Sequence, residues 1–171
     1  METWDTIRAR RNVRQYADQP LARADVDRIL DAGRRAPSAS NWQPWNFVVV
    51  TDRVQLTELA KVWQGARHVA HSAATVALVA EEPEDARHRD MLMYDLGQVT
   101  AYIMLTAADL GIGSGHSAVA DQGQAQRVLA FPDGYFCVYL IGLGYPADRP
   151  LRPLVRPDRR AFDEVVHWSR W

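Results

Sequence analysis

Residues 86–110 constrain the fold more than any other part of this chain. The pattern predicts one long helix, with Gly111 supplying its stop. From Val99 to Leu110 the run is apolar almost all round, through Tyr102, Ile103, Met104, Leu105, Ala107 and Ala108. A helix apolar on every side must be surrounded by protein. In a chain of 171 residues a partner subunit is a natural source of the second wall.

The other elements arrange themselves around that helix. Residues 2–10 predict a short helix that packs Trp4 and Ile7. Residues 22–35 predict another, with Val26, Ile29, Leu30 and Gly33 on one face and Pro37 as its stop. Phe47 and the three valines after it mark residues 46–51 as a buried strand. Residues 53–62 look helical with Leu56 and Leu59 inward, 75–80 form a second strand, 81–85 a polar turn, 121–130 a short helix and 135–143 a third strand. The fold class is therefore α+β: a small mixed sheet with helices on both faces, in one domain over 1–171. After Pro146 come Pro150, Pro153 and Pro157, with little apolar periodicity. Residues 147–171 thus read as an extended arm. The arm turns apolar again at Phe162, Val165, Val166, Trp168 and Trp171, as suits a segment that wraps another surface.

Composition excludes several classes. With 20 basic and 21 acidic residues the net charge is −1, which gives no electrostatic footprint for nucleic acid. No apolar run approaches the ~20 residues of a membrane span. The N-terminal Met-Glu-Thr-Trp-Asp has neither the basic region nor the apolar core of a secretory signal. Cys137 is the only cysteine, and its neighbours predict a buried, unreactive strand position. These points favour a cytoplasmic protein.

Two segments carry the chemistry. Arg10-Arg11-Asn12-Val13-Arg14 puts three guanidiniums within five residues, and planar arginine forks match phosphate oxygens. Pro37-Ser38-Ala39-Ser40-Asn41-Trp42-Gln43-Pro44-Trp45 is a polar loop held by prolines, running straight into a strand. Such a loop fixes its backbone groups before a flat ligand arrives. Together they suggest a phosphorylated planar cofactor, and flavin mononucleotide (FMN) fits best. The glycine-rich Gly111-Ile112-Gly113-Ser114-Gly115-His116 follows a helix and puts His116 where a dinucleotide fingerprint needs glycine, so it reads as a helix stop leading into a loop over 116–119. His68 and His71 have an i, i+3 spacing but no acidic or cysteine partner nearby, and no metal site is expected.

In this order, these motifs resemble those of the nitroreductase family of flavin enzymes. Pro37, Ser38, Asn41, Gln43, Pro44 and Trp45 match one family motif, and Arg10 to Arg14 match another with Asn12 in place of serine. Gly142-Leu143-Gly144-Tyr145-Pro146 resembles a strand-end motif, and Arg159-Arg160-Ala161-Phe162 the ending, with Ala161 in place of proline. The resemblance implies an intertwined homodimer with two FMN sites at the interface. It assigns Arg10 and Asn12 to the phosphate and ribityl chain, Arg14 to the pyrimidine edge, and Arg159 to the phosphate as a second cation. Arg11 and Arg160 serve either the phosphate or the surface. Pro37, Ser38 and Ala39 line the flavin from the opposite subunit, and Asn41 presents an amide to it. Ser117 and Ala118 bring backbone N–H groups near N5 and O4. Ser40, Trp42 and His116 are the substrate-facing candidates. Trp42 has three possible places, at the opening, in the core or on the surface, and His116 is either a proton donor or a surface residue.

The activity so implied is that of an NAD(P)H-dependent oxidoreductase. NADH or NADPH gives a hydride to FMN and leaves, and a nitroaromatic, quinone or related small-molecule acceptor takes the electrons in a ping-pong cycle. The alternatives are a flavin store without turnover, or a relative specialised in dehydrogenation or dehalogenation. No side chain is expected to be an essential catalytic acid or base.

Overall fold

A computed structural model describes residues 1–171. Its centre is a four-stranded sheet in the order β1-β2-β4-β3, formed by β1 (Asn46–Val50), β2 (Ala74–Glu81), β3 (Gly113–Ala118) and β4 (Tyr135–Gly144). All three pairings between these strands are antiparallel. The sheet is therefore antiparallel, not the mixed sheet expected; the one parallel contact is an isolated bridge, Asn12 to Ser114, on the outer edge of β3.

Helices cover both faces. Val76, Leu78 and Ala80 of β2 share one core with Val138, Ile141 and Leu143 of β4 and with Ile29, Leu92, Leu96, Val99 and Ile103 from two helices, α2 (Arg23–Arg34) and α4 (Ala86–Asp109). Ala77, Val79, Cys137 and Leu140 face the other way, against Leu56 and Leu59 of α3 (Arg53–Leu59) and Ala125 of α5 (Gln122–Leu129). Strand β2 lies between two neighbours and two helical layers, which is why it reads as an unbroken apolar run rather than an alternation. A bulge opposite Leu78/Val79 lets Val138 and Tyr139 face the same side, and this keeps the remainder of β4 in phase.

The helix termini follow local chemistry. Asp52, Asp85 and Asp121 cap α3, α4 and α5 by accepting the N–H of Gln55, His88 and Gln124. Gly111, at φ 74°, ends α4 in the left-handed region. Helices α2 and α4 approach closely at Gly33, where a Cβ would lie 2.8 Å from Ile103 Cγ1.

Two further expectations need correction, and one element was not expected. The first helix, α1 (Thr3–Ala9), buries Thr6 and Ala9 against α4, not Trp4 and Ile7, and Trp4 is 67 % exposed. Residues Gln64–His71 form a 3-10 run that lacks a sequence signature. Residues 116–119 are not a free loop, because His116, Ser117 and Ala118 belong to β3 and pair with Ile141, Leu140 and Tyr139.

Helix α4 is covered by its own chain on one side only. Leu92, Leu96, Val99, Ile103 and Ala107 are buried, whereas Tyr94, Ala101 and Tyr102 are exposed. The arm also leaves apolar groups bare: Phe162, Val165, Trp168 and Trp171. No helix is long and apolar enough to cross a membrane.

Candidate functional site

The Arg10–Arg14 segment leaves α1 in extended conformation and runs along the outer edge of β3. Val13 donates its N–H to the Ser114 carbonyl at 2.8 Å, and its side chain is buried over Gly113, where a Cβ would lie 2.7 Å from Val13 Cβ. At Gly115 a Cβ would stand 2.5 Å from the Val13 carbonyl oxygen. The glycines that resemble a dinucleotide loop are therefore there to let this segment approach. Tyr16 completes the seam, donating its hydroxyl to the carbonyls of Val13 at 2.9 Å and Gly142 at 3.1 Å. Burial raises the pKa of that hydroxyl well above the usual phenol value.

Burying Val13 turns its neighbours outward. Arg10 contacts only the Asn12 side chain, Nη1 to Oδ1 at 3.3 Å, and no carboxylate pairs with Arg10 or Arg14. Arg11 differs: it donates to Asp148 Oδ1 at 2.7 Å and to the Arg149 carbonyl at 2.8 Å. That hydrogen bond holds the Asp148 carboxyl below the usual range, and Arg11 ties down the start of the arm.

His116 lies on β3 next to these cations, edge-on to Tyr139 with ring centroids 6.2 Å apart. Burial lowers its pKa, and the guanidiniums of Arg10 and Arg14 and the ring of His68 lower it further. Its Nδ1 is buried without a hydrogen-bond partner. Ser117 is buried and donates its hydroxyl to the Ala118 carbonyl at 3.0 Å, while Ala118 is exposed. Beyond Ser114 the outer edge of β3 carries no further strand pairing, so its backbone groups remain available to a ligand.

The opposite face of this edge holds His68, which the sequence offered only as half of a metal pair. It is buried, with Nε2 2.9 Å from the Gly115 carbonyl and Nδ1 3.1 Å from that of Gly65. Burial pulls its pKa down, the two carbonyls oppose that pull, and Arg14 adds to it.

The proline loop stands elsewhere. Ala39–Asn41 make a single 3-10 turn in which Ser40 (φ 50°), Asn41 (58°) and then Gln43 (53°) are left-handed. Asparagine tolerates this region, but Ser40 and Gln43 each cost about 1–2 kcal/mol there. Ser38 Oγ accepts the Gln43 N–H at 2.9 Å, and the Gln43 side chain donates to the Asn41 carbonyl at 3.1 Å. Both oxygens of Asp95, on α4, face the Ala39 N–H, at 3.1 and 3.3 Å. Asp95 escaped the sequence reading, although an acid placed three residues after Leu92 and four before Val99 falls in the buried stripe. Trp42 is on the surface, 44 % exposed, with its ring 6.2 Å from that of His88. Pro37 and Ser40 are exposed, and Trp45 packs against the core.

One chain does not unite these two halves. Asn12 bridges Ser114, which pairs with Leu143 near the end of β4. The loop enters the sheet at Asn46, whose partner Val79 pairs with Cys137 near the start of β4, on the opposite edge. The two points lie about 20 Å apart along the strands and about 14 Å across them, by ordinary strand spacings. Arg159 and Arg160 join neither half: Arg159 donates to the Asp158 carbonyl at 2.6 Å, and Arg160 pairs with Glu164.

The chain can be compared with known proteins on this geometry. A family model described as the nitroreductase family matches residues 7–66 and 59–145. A protein of Archaeoglobus fulgidus, provisionally named NADH dehydrogenase/NAD(P)H nitroreductase, is 30 % identical over 169 residues, 96 % of each chain. The solved FMN-dependent nitroreductase of Clostridium difficile R20291 superposes with a TM-score of 0.83 at 23 % identity, covering 97 % of this chain and 98 % of that one. The NADPH:FMN oxidoreductase of Vibrio harveyi, solved in complex with NAD+, also gives a TM-score of 0.83 at 23 % identity, over 97 % of this chain and 76 % of that one. The two structures share the fold, the Archaeoglobus relative shares the sequence along its length, and the chain belongs to the nitroreductase family.

Proposed function

We propose that this chain binds FMN at the interface of a homodimer and uses NADH or NADPH to reduce a small-molecule acceptor, with nitroaromatics and quinones as the first classes to test. The observation that carries this reading is the β3 edge. There, Arg10 and Arg14 lack carboxylate partners, and the Nδ1 of His116 is buried with nothing to bond. Uncompensated guanidiniums beside an orphaned ring nitrogen suit a ligand that is both anionic and a heteroaromatic hydrogen-bonding surface. The Clostridium and Vibrio relatives, one an FMN-dependent nitroreductase and the other an NADPH:FMN oxidoreductase, support the cofactor.

Bound FMN would supply the redox chemistry, accepting a hydride and passing two electrons to the acceptor. The chain's own residues bind and orient. Arg10 and Asn12 hold the phosphate, with Arg159 of the arm as a second cation. Arg14 offers a fixed positive charge to the electron-rich edge of the ring, favouring the added negative charge. His116, whose protonation burial and the arginines disfavour, supports a hydrogen bond in its neutral form without adding charge. On the unpaired edge of β3, the residues in phase with Ser114 turn outward, so Ala118 provides a backbone donor there, while the Ser117 backbone faces β4. Ser38, Ala39 and Asn41 come from the second copy, which fits their position at the far corner of the sheet. A second copy also gives the bare side of α4 and the apolar arm a surface to cover. The lone Cys137, buried and pushed up to about 12, is inert, in keeping with a cytoplasmic location.

Anaerobic mixing of the purified yellow protein with NADH and with NADPH tests the activity. Rapid bleaching of the flavin band followed by recovery on adding a quinone or nitroaromatic is the expected result. Tight flavin that neither nucleotide bleaches would mark a store, and a protein that neither copurifies with FMN nor rebinds it would end the proposal.

A further inference from the structure

We propose that Asp95 is a positioning residue for the cofactor: from within α4 it clamps the Ala39 amide and holds the Ser38–Gln43 turn in the shape that presents Ser38 and Asn41 to the flavin. The inference rests on the FMN reading above. Asp95 is 1 % exposed and stands among Leu92, Leu96 and Val99 on the helix that carries the core. No lysine, arginine or histidine pairs with it. A buried carboxylate with so little compensation is costly, and an apolar side chain would pack there more favourably. Its only hydrogen-bonded partner is the Ala39 N–H, which both oxygens face.

The turn explains why such a group would be kept. Three of its residues, Ser40, Asn41 and Gln43, are left-handed without being glycine. Such a conformation persists only where its surroundings over-determine it. The other hydrogen bonds of residues 37–45 stay inside the loop: Asn41 N–H to the Ser38 carbonyl, Trp42 N–H to the Ala39 carbonyl, Gln43 N–H to Ser38 Oγ, and the Gln43 side chain to the Asn41 carbonyl. The bond to Asp95 is the one that ties the loop to a rigid element. It fixes the first residue of the turn, from which the direction of Ser40 and Asn41 follows.

The test is a flavin titration of apo-protein by fluorescence quenching, with Asp95→Asn, Asp95→Ala and Ala39→Pro. Asparagine keeps the shape, so the loop can be read even if the alanine variant does not fold. Proline removes the N–H at the first position of a turn, where it is tolerated, and the extended Ser38 before it is compatible. Asp95→Ala is expected to weaken FMN and riboflavin by the same factor, roughly tenfold or more, as for loss of a charge-assisted hydrogen bond. Asp95→Asn should fall between it and wild type, and the visible circular dichroism of the bound flavin should change. In the Ala39→Pro background, Asp95→Ala should add nothing further. Asp95 variants that melt earlier yet bind flavin like wild type would reduce Asp95 to a structural role and overturn the inference. Effects that multiply in the double variant would also overturn it. A wild-type protein that takes up no flavin in the same titration overturns the FMN reading and this inference together.

Discussion

At the scale of single residues, the site separates charge from shape. Arg10 meets only an amide in this chain, so its role is testable with two ligands that differ by a phosphate. Arg10→Ala should weaken FMN by about 1.5–3 kcal/mol and riboflavin far less, and equal losses would remove Arg10 from the phosphate. Arg14→Ala, measured at saturating FMN, should lower the flavin reduction potential and slow reduction by NAD(P)H. An unchanged potential would take Arg14 off the ring. Trp42 is too exposed to be a core residue. Trp42→Ala should therefore leave the melting temperature nearly unchanged and raise KM for bulky aromatic acceptors several-fold, through lost stacking of about 0.5–1.5 kcal/mol. A KM equal to wild type would confine Trp42 to the surface. The buried imidazole of His68 and the half-buried one of His116 set a pH dependence. His68 and His116 both have pKa values lowered by burial below their ordinary 6.5. The unfolded chain then binds more protons than the folded one just below that value, so stability falls as pH drops through it and is fully present above it. His68→Gln should flatten the acid side of a plot of Tm against pH, and a slope identical to wild type would show that His68 does not titrate in that window.

At the scale of elements, much was legible because burial leaves a plain pattern. Helix α2 shows Val26 and Ile29 at helical spacing, and β1, β2 and β4 show as apolar runs. Strand β3 was not legible: glycines and small side chains at 113–118 lack alternation, and its strand form comes from pairing with β4 and from the close approach of Val13. The face of α1 was misread for a related reason, since Trp4 looks like a core residue, yet only Thr6 and Ala9 fit against α4. The arginine motif could be read as chemistry because three cations so close in sequence are rare among core residues. Asp95 could not, because its function depends on a backbone N–H far away in sequence. The all-round apolar character of α4 resolves into a buried stripe and a bare one at Tyr94, Ala101 and Tyr102. If a second copy covers the bare stripe, Tyr102→Glu should convert the sedimenting species to a 19.3 kDa monomer with weakened FMN binding. A monomeric wild type that still binds FMN tightly would refute the shared site.

At the scale of the whole molecule, the sheet keeps the arginine segment and the proline loop at opposite corners, and neither the arm nor the bare helix finds enough cover within its own chain. Any site built from both motifs must then draw them from two polypeptides. That separation has a genetic consequence. If the site is shared between two copies in this way, a variant at Arg10 and a variant at Asn41 would each spoil both sites of its own homodimer. Co-expressed, they would form mixed dimers in which one site inherits both lesions and the other inherits none. Two inactive alleles should thus complement each other, restoring up to a quarter of wild-type flavin occupancy under random pairing: half of the dimers are mixed, and each has one sound site.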